Sequence, residues 1–110
     1  MKTEVTTGFR WLNMLISEGA PDILEMLADG KPRQFTNIYS LTNPRTGRKY
    51  SPNTISARLK ELSSIHAVKQ VIVAKERGNR IAYSITEQGK KALSISKRFE
   101  GELESVFGKS

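Results

Sequence analysis

The chain has 110 residues, 37% of them hydrophobic and 26% charged, a size and balance that fit one folded domain with one core and exclude a disordered polymer. It contains no cysteine, which excludes disulfides, thiolate metal sites, a cysteine nucleophile and thiol-based redox sensing. The net charge of +7 is concentrated: residues 31–80 hold eleven basic and two acidic side chains, a net of +9, against −3 for residues 1–30 and +1 for residues 81–110.

That distribution predicts a one-sided positive field suited to a polyanion rather than an evenly solvated surface. Residues 1–7 carry no apolar stretch like that of a signal peptide, and no window approaches the roughly 18 apolar residues that span a bilayer. A soluble, cytoplasmic protein with no membrane partner is the expectation.

In chain order, Phe9, Leu12, Leu15 and Ile16 recur at helical spacing and predict a first helix over 8–17, with Trp11 off the centre of the stripe. Pro21 suits the first turn of a second helix; Ile23, Leu24, Leu27 and Met26 form its stripe, and Asp29-Gly30 ends it. Residues 31–35 are a brief extended segment. Thr36 is the expected cap of a short helix holding Ile38, Tyr39 and Leu41. Residues 42–50 read as a turn-rich loop with Arg45, Arg48 and Lys49.

Ser51-Pro52 is a helix start, with Ser51 as N-cap and Pro52 at the first helical position. Ile55, Leu59 and Leu62 define its buried face; at about 100° per residue, Asn53, Ala57, Lys60 and Ser64 point the other way, with Ser56 at the side. Val68–Lys75 and Arg80–Ile85 read as two strands, joined by Glu76-Arg77-Gly78-Asn79 with Gly-Asn in the tight turn. Thr86 caps a final helix reaching about residue 106, with Ala92, Ile95, Phe99, Leu103 and Val106 as its stripe. An isolated two-stranded hairpin is not stable in water, so it must pack on the helices as one α+β unit, mostly helical.

A slim polar helix face, a basic hairpin tip and a basic loop converge on double-stranded DNA. Base reading falls to Asn53, Thr54, Ser56, Ala57 and Lys60. Backbone contact falls to Arg45, Arg48, Lys49 and Ser51, to Lys75, Arg77, Asn79 and Arg80 of the hairpin, and to Arg58, which lies toward the buried side and either braces the core or meets a phosphate. The long terminal stripe and Trp11 suggest a dimer contact through Trp11, Phe99, Leu103, Val106 and Phe107. Glu100, Glu102 and Glu104 place that end away from DNA. His66, the lone histidine, suits a positive backbone dihedral at a helix end better than a ligand role. No nucleophile-base pair, paired carboxylates, phosphate-cradling glycine loop or metal-ligand spacing is evident, so neither enzyme nor cofactor is expected.

Residues 23–30 (ILEMLADG), 51–62 (SPNTISARLKEL) and 82–89 (AYSITEQG) together resemble the HxlR-like branch of winged-helix regulators, near the MarR and PadR groups. The resemblance implies a winged helix-turn-helix with a two- to three-stranded wing sheet and N- and C-terminal dimerisation helices. It divides the single domain 1–110 into N-terminal helices 8–30, a helix-turn-helix 36–64, a wing 68–85 and a C-terminal helix 86–107. It further implies a transcriptional regulator acting as a homodimer, the 51–64 helix in the major groove and the wing on the backbone or minor groove. A small-molecule effector is left open, with the dimer interface as its expected site. The family's N-terminal cysteine is missing, His66 stands where a helix-ending glycine is usual, and the 42–50 loop is longer than usual. The alternatives are a non-specific DNA- or RNA-binding architectural protein and a winged-helix protein-interaction module.

Overall fold

Across residues 8–108, which a computed structural model describes, the chain runs α1 (Arg10–Ile16), α2 (Ala20–Met26), β1 (Arg33–Gln34), α3 (Phe35–Ile38), α4 (Pro52–Ser64), β2 (Val68–Lys75), β3 (Gly78–Ile85) and α5 (Glu87–Phe107). The expectation about residues 1–7 lies outside the described residues. All strands pair antiparallel in the order β1-β3-β2, so the short extended segment completes a three-stranded wing sheet. The fold is α+β, mostly helical, a winged helix-turn-helix.

The core is the set of apolar positions that helical spacing selects. Ile23, Leu24 and Leu27 from α2, Ile38 from α3, and Ile55, Leu59 and Leu62 from α4 are buried together with Val68 and Ile85 from the base of the hairpin. Ser51 and Thr86 cap α4 and α5 as expected: each side-chain oxygen accepts the backbone N–H three residues on. His66 adopts φ +62° immediately after α4, the left-handed turn that lets the chain leave the helix for β2.

Several local expectations give way. α2 stops at Met26, and the tail to Gly30 is held by single turns. Thr36 does not cap α3. The cap is Gln34, whose backbone N–H donates to the Asn37 side chain, and Leu41 lies beyond the helix. The hairpin turn is Glu76-Arg77, and Gly78 and Asn79 already pair in β3 against Lys75 and Ala74. Both turn residues keep negative φ while Gly78 takes φ +106°, so the reversal has unprimed-turn geometry followed by glycine rather than a Gly-Asn primed turn.

In α1 and α5 most of the apolar stripe is exposed, while Leu15 packs against the core. α1 has no buried residue, and on α5 only Gly89 and Leu93 are buried. Leu93, outside the predicted stripe, is what fixes α5 to the core. Ile95, Phe99, Leu103, Val106 and Phe107 are exposed, the last two at 65% and 78%.

Candidate nucleic-acid interface

α4 buries Ile55, Leu59 and Leu62 and turns Asn53, Ser56 and Lys60 to solvent, with Ala57 half-buried between them. Short side chains near the helix start leave the backbone close to whatever the helix approaches, as entry into a major groove requires. Thr54 is half-buried and occupied: its hydroxyl accepts from Ser51 Oγ at 3.0 Å, and its backbone N–H donates to the same oxygen.

On one flank of α4, residues 42–50 are an ordered arm rather than a loose loop. Thr42 bridges Lys49, and Asn43 N donates to the Arg48 carbonyl at 2.8 Å. Asn43 is the hub. Its carbonyl accepts from Gly47 N at 2.8 Å, its Oδ1 accepts from Arg45 N at 2.9 Å, and its Nδ2 donates to Glu18 Oε2 at 2.9 Å. Gly47 takes φ +73° at the tip. Arg45, Arg48 and Lys49 are exposed, and none forms an ion pair among the described residues. Tyr50 closes the arm, buried, its hydroxyl donating to Asp22. Burial first, then the Asp22 carboxylate, pushes the Tyr50 phenol well above the usual tyrosine range.

The hairpin tip exposes Lys75, Arg77, Asn79 and Arg80, with Lys75, Arg77 and Arg80 around one shallow depression that also holds Glu76 and Gln34. Strand alternation separates two faces. Gln70 and Tyr83 line a cleft with Ser56, Lys60 and Ser63 of α4, so their face is turned to that helix. Ile72 and Ile81, paired across the strands at 66% and 53% exposure, continue that face, whereas Lys75 and Arg80 alternate onto the other. Alternation of Ile81, Tyr83 and Ile85 in the sequence already puts Ile81 on this face; Ile72 joins it through the strand register.

Other cations are engaged within the chain. Arg58 Nε donates to the Glu18 carbonyl at 2.9 Å and Nη1 to Glu61 Oε1 at 2.7 Å, so it braces α4. Arg33 pairs with Asp29 at 2.8 Å. The Lys31 backbone N–H bonds Asp29 first of all, and with Arg33 it holds that carboxyl below the usual range. Trp11 is exposed under the Arg10 guanidinium, 4.6 Å from the ring centroid. Between α1 and α5 runs an apolar groove of about 580 Å³, lined by Leu12, Leu15, Leu24, Leu93, Phe99 and Leu103. Among the described residues no helix is long and apolar enough to cross a membrane, and no group of three or more His, Asp or Glu residues is placed to hold a metal ion.

No family model and no curated protein matches the sequence. Solved structures do match. The chain is similar to the reduced form of the transcriptional regulator YodB from B. subtilis, with TM-score 0.73 and 18% identity over 96% of each chain. It is also similar to a PadR-like transcriptional regulator from Bacillus cereus, with TM-score 0.70 and 18% identity over 87% of this chain and 93% of that one. A regulator described as of the MarR family, from Enterococcus faecalis, superimposes with TM-score 0.65 at 15% identity over 97% and 94% of the two chains. At these identities the likeness is one of fold: the chain shares the winged helix-turn-helix architecture of these regulators.

Proposed function

We propose that this chain is a sequence-specific double-stranded DNA-binding transcriptional regulator of the HxlR-like kind, acting as a homodimer in the cytoplasm and carrying no catalytic activity. The supporting observation is the placement of charge. The exposed cations of the arm lie beside the start of the slim polar face of α4, and those of the wing gather at the hairpin tip, beyond the cleft that Gln70 and Tyr83 form with α4. A duplex seated on α4 meets arm and wing tip with its phosphates while Asn53, Ser56, Ala57 and Lys60 face base edges. Ser51 sits at the α4 N-terminus, where backbone N–H groups favour a phosphate. Thr54, bonded to Ser51, contributes through the helix start. Asn79 follows Gly78 at the wing tip, beside Arg80.

The dimer contact uses Trp11, Phe99, Leu103, Val106 and Phe107, with the α1–α5 groove as its centre; an effector, where one acts, would occupy the same apolar groove. The fold of the solved regulators supports this reading, since those proteins are transcriptional regulators.

The test is titration of labelled duplex at several salt concentrations. The logarithm of affinity is expected to fall linearly with the logarithm of salt; a flat response overturns the reading. Arg77→Ala and Arg80→Ala should weaken binding to all sequences alike, each lowering the salt slope by about one. Asn53→Ala and Lys60→Ala should instead change which bases are preferred, read out by selection from a random duplex pool. Wing variants that alter sequence preference while helix variants do not would reverse the assignment of roles.

A further inference from the structure

We infer that Glu18 is a joint that sets the position of both the arm and α4, and that Asn43 and Arg58 are positioning residues acting through it rather than contacts to phosphate. This rests on the DNA-binding reading and goes beyond it in saying what holds the reading face in place.

Glu18 lies in the short connection between α1 and α2, and two of its acceptors are taken by two different elements. Its backbone carbonyl accepts from Arg58 Nε, midway along α4, at 2.9 Å. Its carboxylate accepts from Asn43 Nδ2 at 2.9 Å, and Asn43, 7% exposed, is the residue around which the arm folds. The next residue makes the approach close. Gly19 has φ +92°, and a Cβ added there would lie 3.4 Å from Arg58 Cγ and 3.8 Å from both Thr54 Cγ2 and Tyr50 Cε1. Tyr50 then ties the end of the arm to Asp22 in the first turn of α2. The α1–α2 junction thus holds the arm at its base and its end, and α4 at its middle.

Arg58 is ill-placed for phosphate. Its side chain is 20% exposed, and its guanidinium is divided between a carbonyl and the Glu61 carboxylate at 2.7 Å. Contact with DNA would have to compete with those two acceptors for the guanidinium. What Arg58 does supply is orientation. Base-edge hydrogen bonds need donor–acceptor distances of about 2.7–3.2 Å, so a small slide or roll of α4 forfeits discrimination while phosphate attraction survives.

The joint makes predictions opposite in sign to simple electrostatics. Glu18→Ala removes a negative charge beside a cationic arm, which by charge alone tightens binding to any duplex. The joint instead requires weaker binding, because Asn43 loses its acceptor. Glu18→Gln removes the same charge but keeps an acceptor oxygen, so it should bind at least as tightly as the wild type. Arg58→Lys keeps the charge but loses the planar fork that spans Glu18 and Glu61, so it should behave like Arg58→Ala rather than rescue it.

The experiment compares wild type, Glu18→Ala, Glu18→Gln, Arg58→Ala and Arg58→Lys on two duplexes across a salt series, with folding checked by circular dichroism and melting. One duplex is selected from a random pool by the wild-type protein; the other is a scrambled duplex of equal length. Expected are a several-fold loss for Glu18→Ala on both duplexes with none for Glu18→Gln. Both Arg58 variants should show about a tenfold fall in the selected-to-scrambled affinity ratio with an unchanged slope on scrambled DNA. Tighter binding by Glu18→Ala overturns the joint. So does a slope reduced by about one in Arg58→Ala and restored in Arg58→Lys, which would mark a phosphate contact. Failure of the wild type to bind any duplex overturns the DNA-binding reading itself, whereas the variant outcomes overturn only the joint. The conservative pair, Glu18→Gln and Arg58→Lys, keeps the comparison decisive if an alanine variant unfolds.

Discussion

Gly89 and Gly101 lie on the same helix for different reasons, and the difference has a sign. A Cβ at Gly89 would sit 2.0 Å from the Ala67 carbonyl oxygen and 2.8 Å from Ile85 Cγ1. The neighbour is backbone at the α4–β2 turn and cannot swing aside. A Cβ at Gly101 meets nothing within 4 Å. Helix propensity favours alanine at both positions by about 1 kcal/mol. At Gly101 nothing opposes it, so Gly101→Ala should raise stability by about that amount. At Gly89 the clash dominates, and Gly89→Ala should lower stability by about 3 kcal/mol. Urea denaturation of the two variants, read as midpoint shifts of opposite direction, checks this. The glycine that ends the family-like run at residues 82–89 is therefore a packing requirement.

Tyr50 gives the residue scale a pH dependence. Its phenol is buried against Asp22, and both influences raise its pKa in the folded chain. A raised folded value means that the protonated phenol stabilises the fold. That contribution is complete below the unfolded tyrosine pKa of about 10 and is lost as pH rises beyond it. Tyr50→Phe should cost about 1 kcal/mol at neutral pH for the lost hydrogen bond. Its deficit relative to wild type should shrink as denaturation is repeated toward about pH 11, the range in which unfolded tyrosine ionises. A deficit that grows with pH would contradict the assignment.

At the scale of elements, what could be read from the sequence is what local chemistry decides. Ser51-Pro52 and Thr86 set the starts of α4 and α5 because a hydroxyl before a helical run satisfies backbone N–H groups wherever it occurs. His66 was legible for the same reason: the chain must leave α4 through a left-handed residue. Thr36 misled because threonine is the better general cap, while Gln34 and Asn37 form a reciprocal pair that only the turn into α3 brings together. The hairpin turn moved by two residues because Gly78 serves as the positive-φ residue after the turn, inside the first strand pair. The arm was legible as turns and cations but not as an ordered element, since its hub bonds Glu18, 25 residues earlier in the chain. Of the candidate site, the exposed face of α4 and the cations were readable from periodicity and charge. The internal engagement of Arg58 was half-readable, because its inward angle was plain and its acceptor on a distant turn was not.

At the scale of the whole molecule, the two halves of the surface have different chemistry, and the last prediction follows from that division. The radius of gyration is 15.4 Å, against about 13 Å for a compact chain of this length. The excess agrees with α5, a helix about 32 Å long that is buried in the core at Gly89 and Leu93 and is tied further along by Lys97 to Glu25. The far part of α5, α1 and its N-cap Phe9 leave Phe9, Trp11, Ile16, Ile95, Phe99, Leu103, Val106 and Phe107 exposed. Apolar surface gathered on two neighbouring helices, away from the cationic flanks, is expensive to leave in water, and a second copy offers the same surface in self-complementary form. Phe99→Glu with Leu103→Glu should therefore yield a particle of 12.3 kDa by light scattering where the wild type is expected to give twice that mass. Both positions lie beyond Leu93, so the variant's core should melt as before apart from the lost association. The effect on DNA should depend on the probe. On a duplex with two half-sites the variant should bind about a hundredfold or more less tightly, because the second contact is no longer tethered to the first. On a single half-site it should match the wild type. Equal loss on both probes would mean that the α5 face touches DNA itself, and a wild-type monomer at tens of micromolar would remove the dimer altogether.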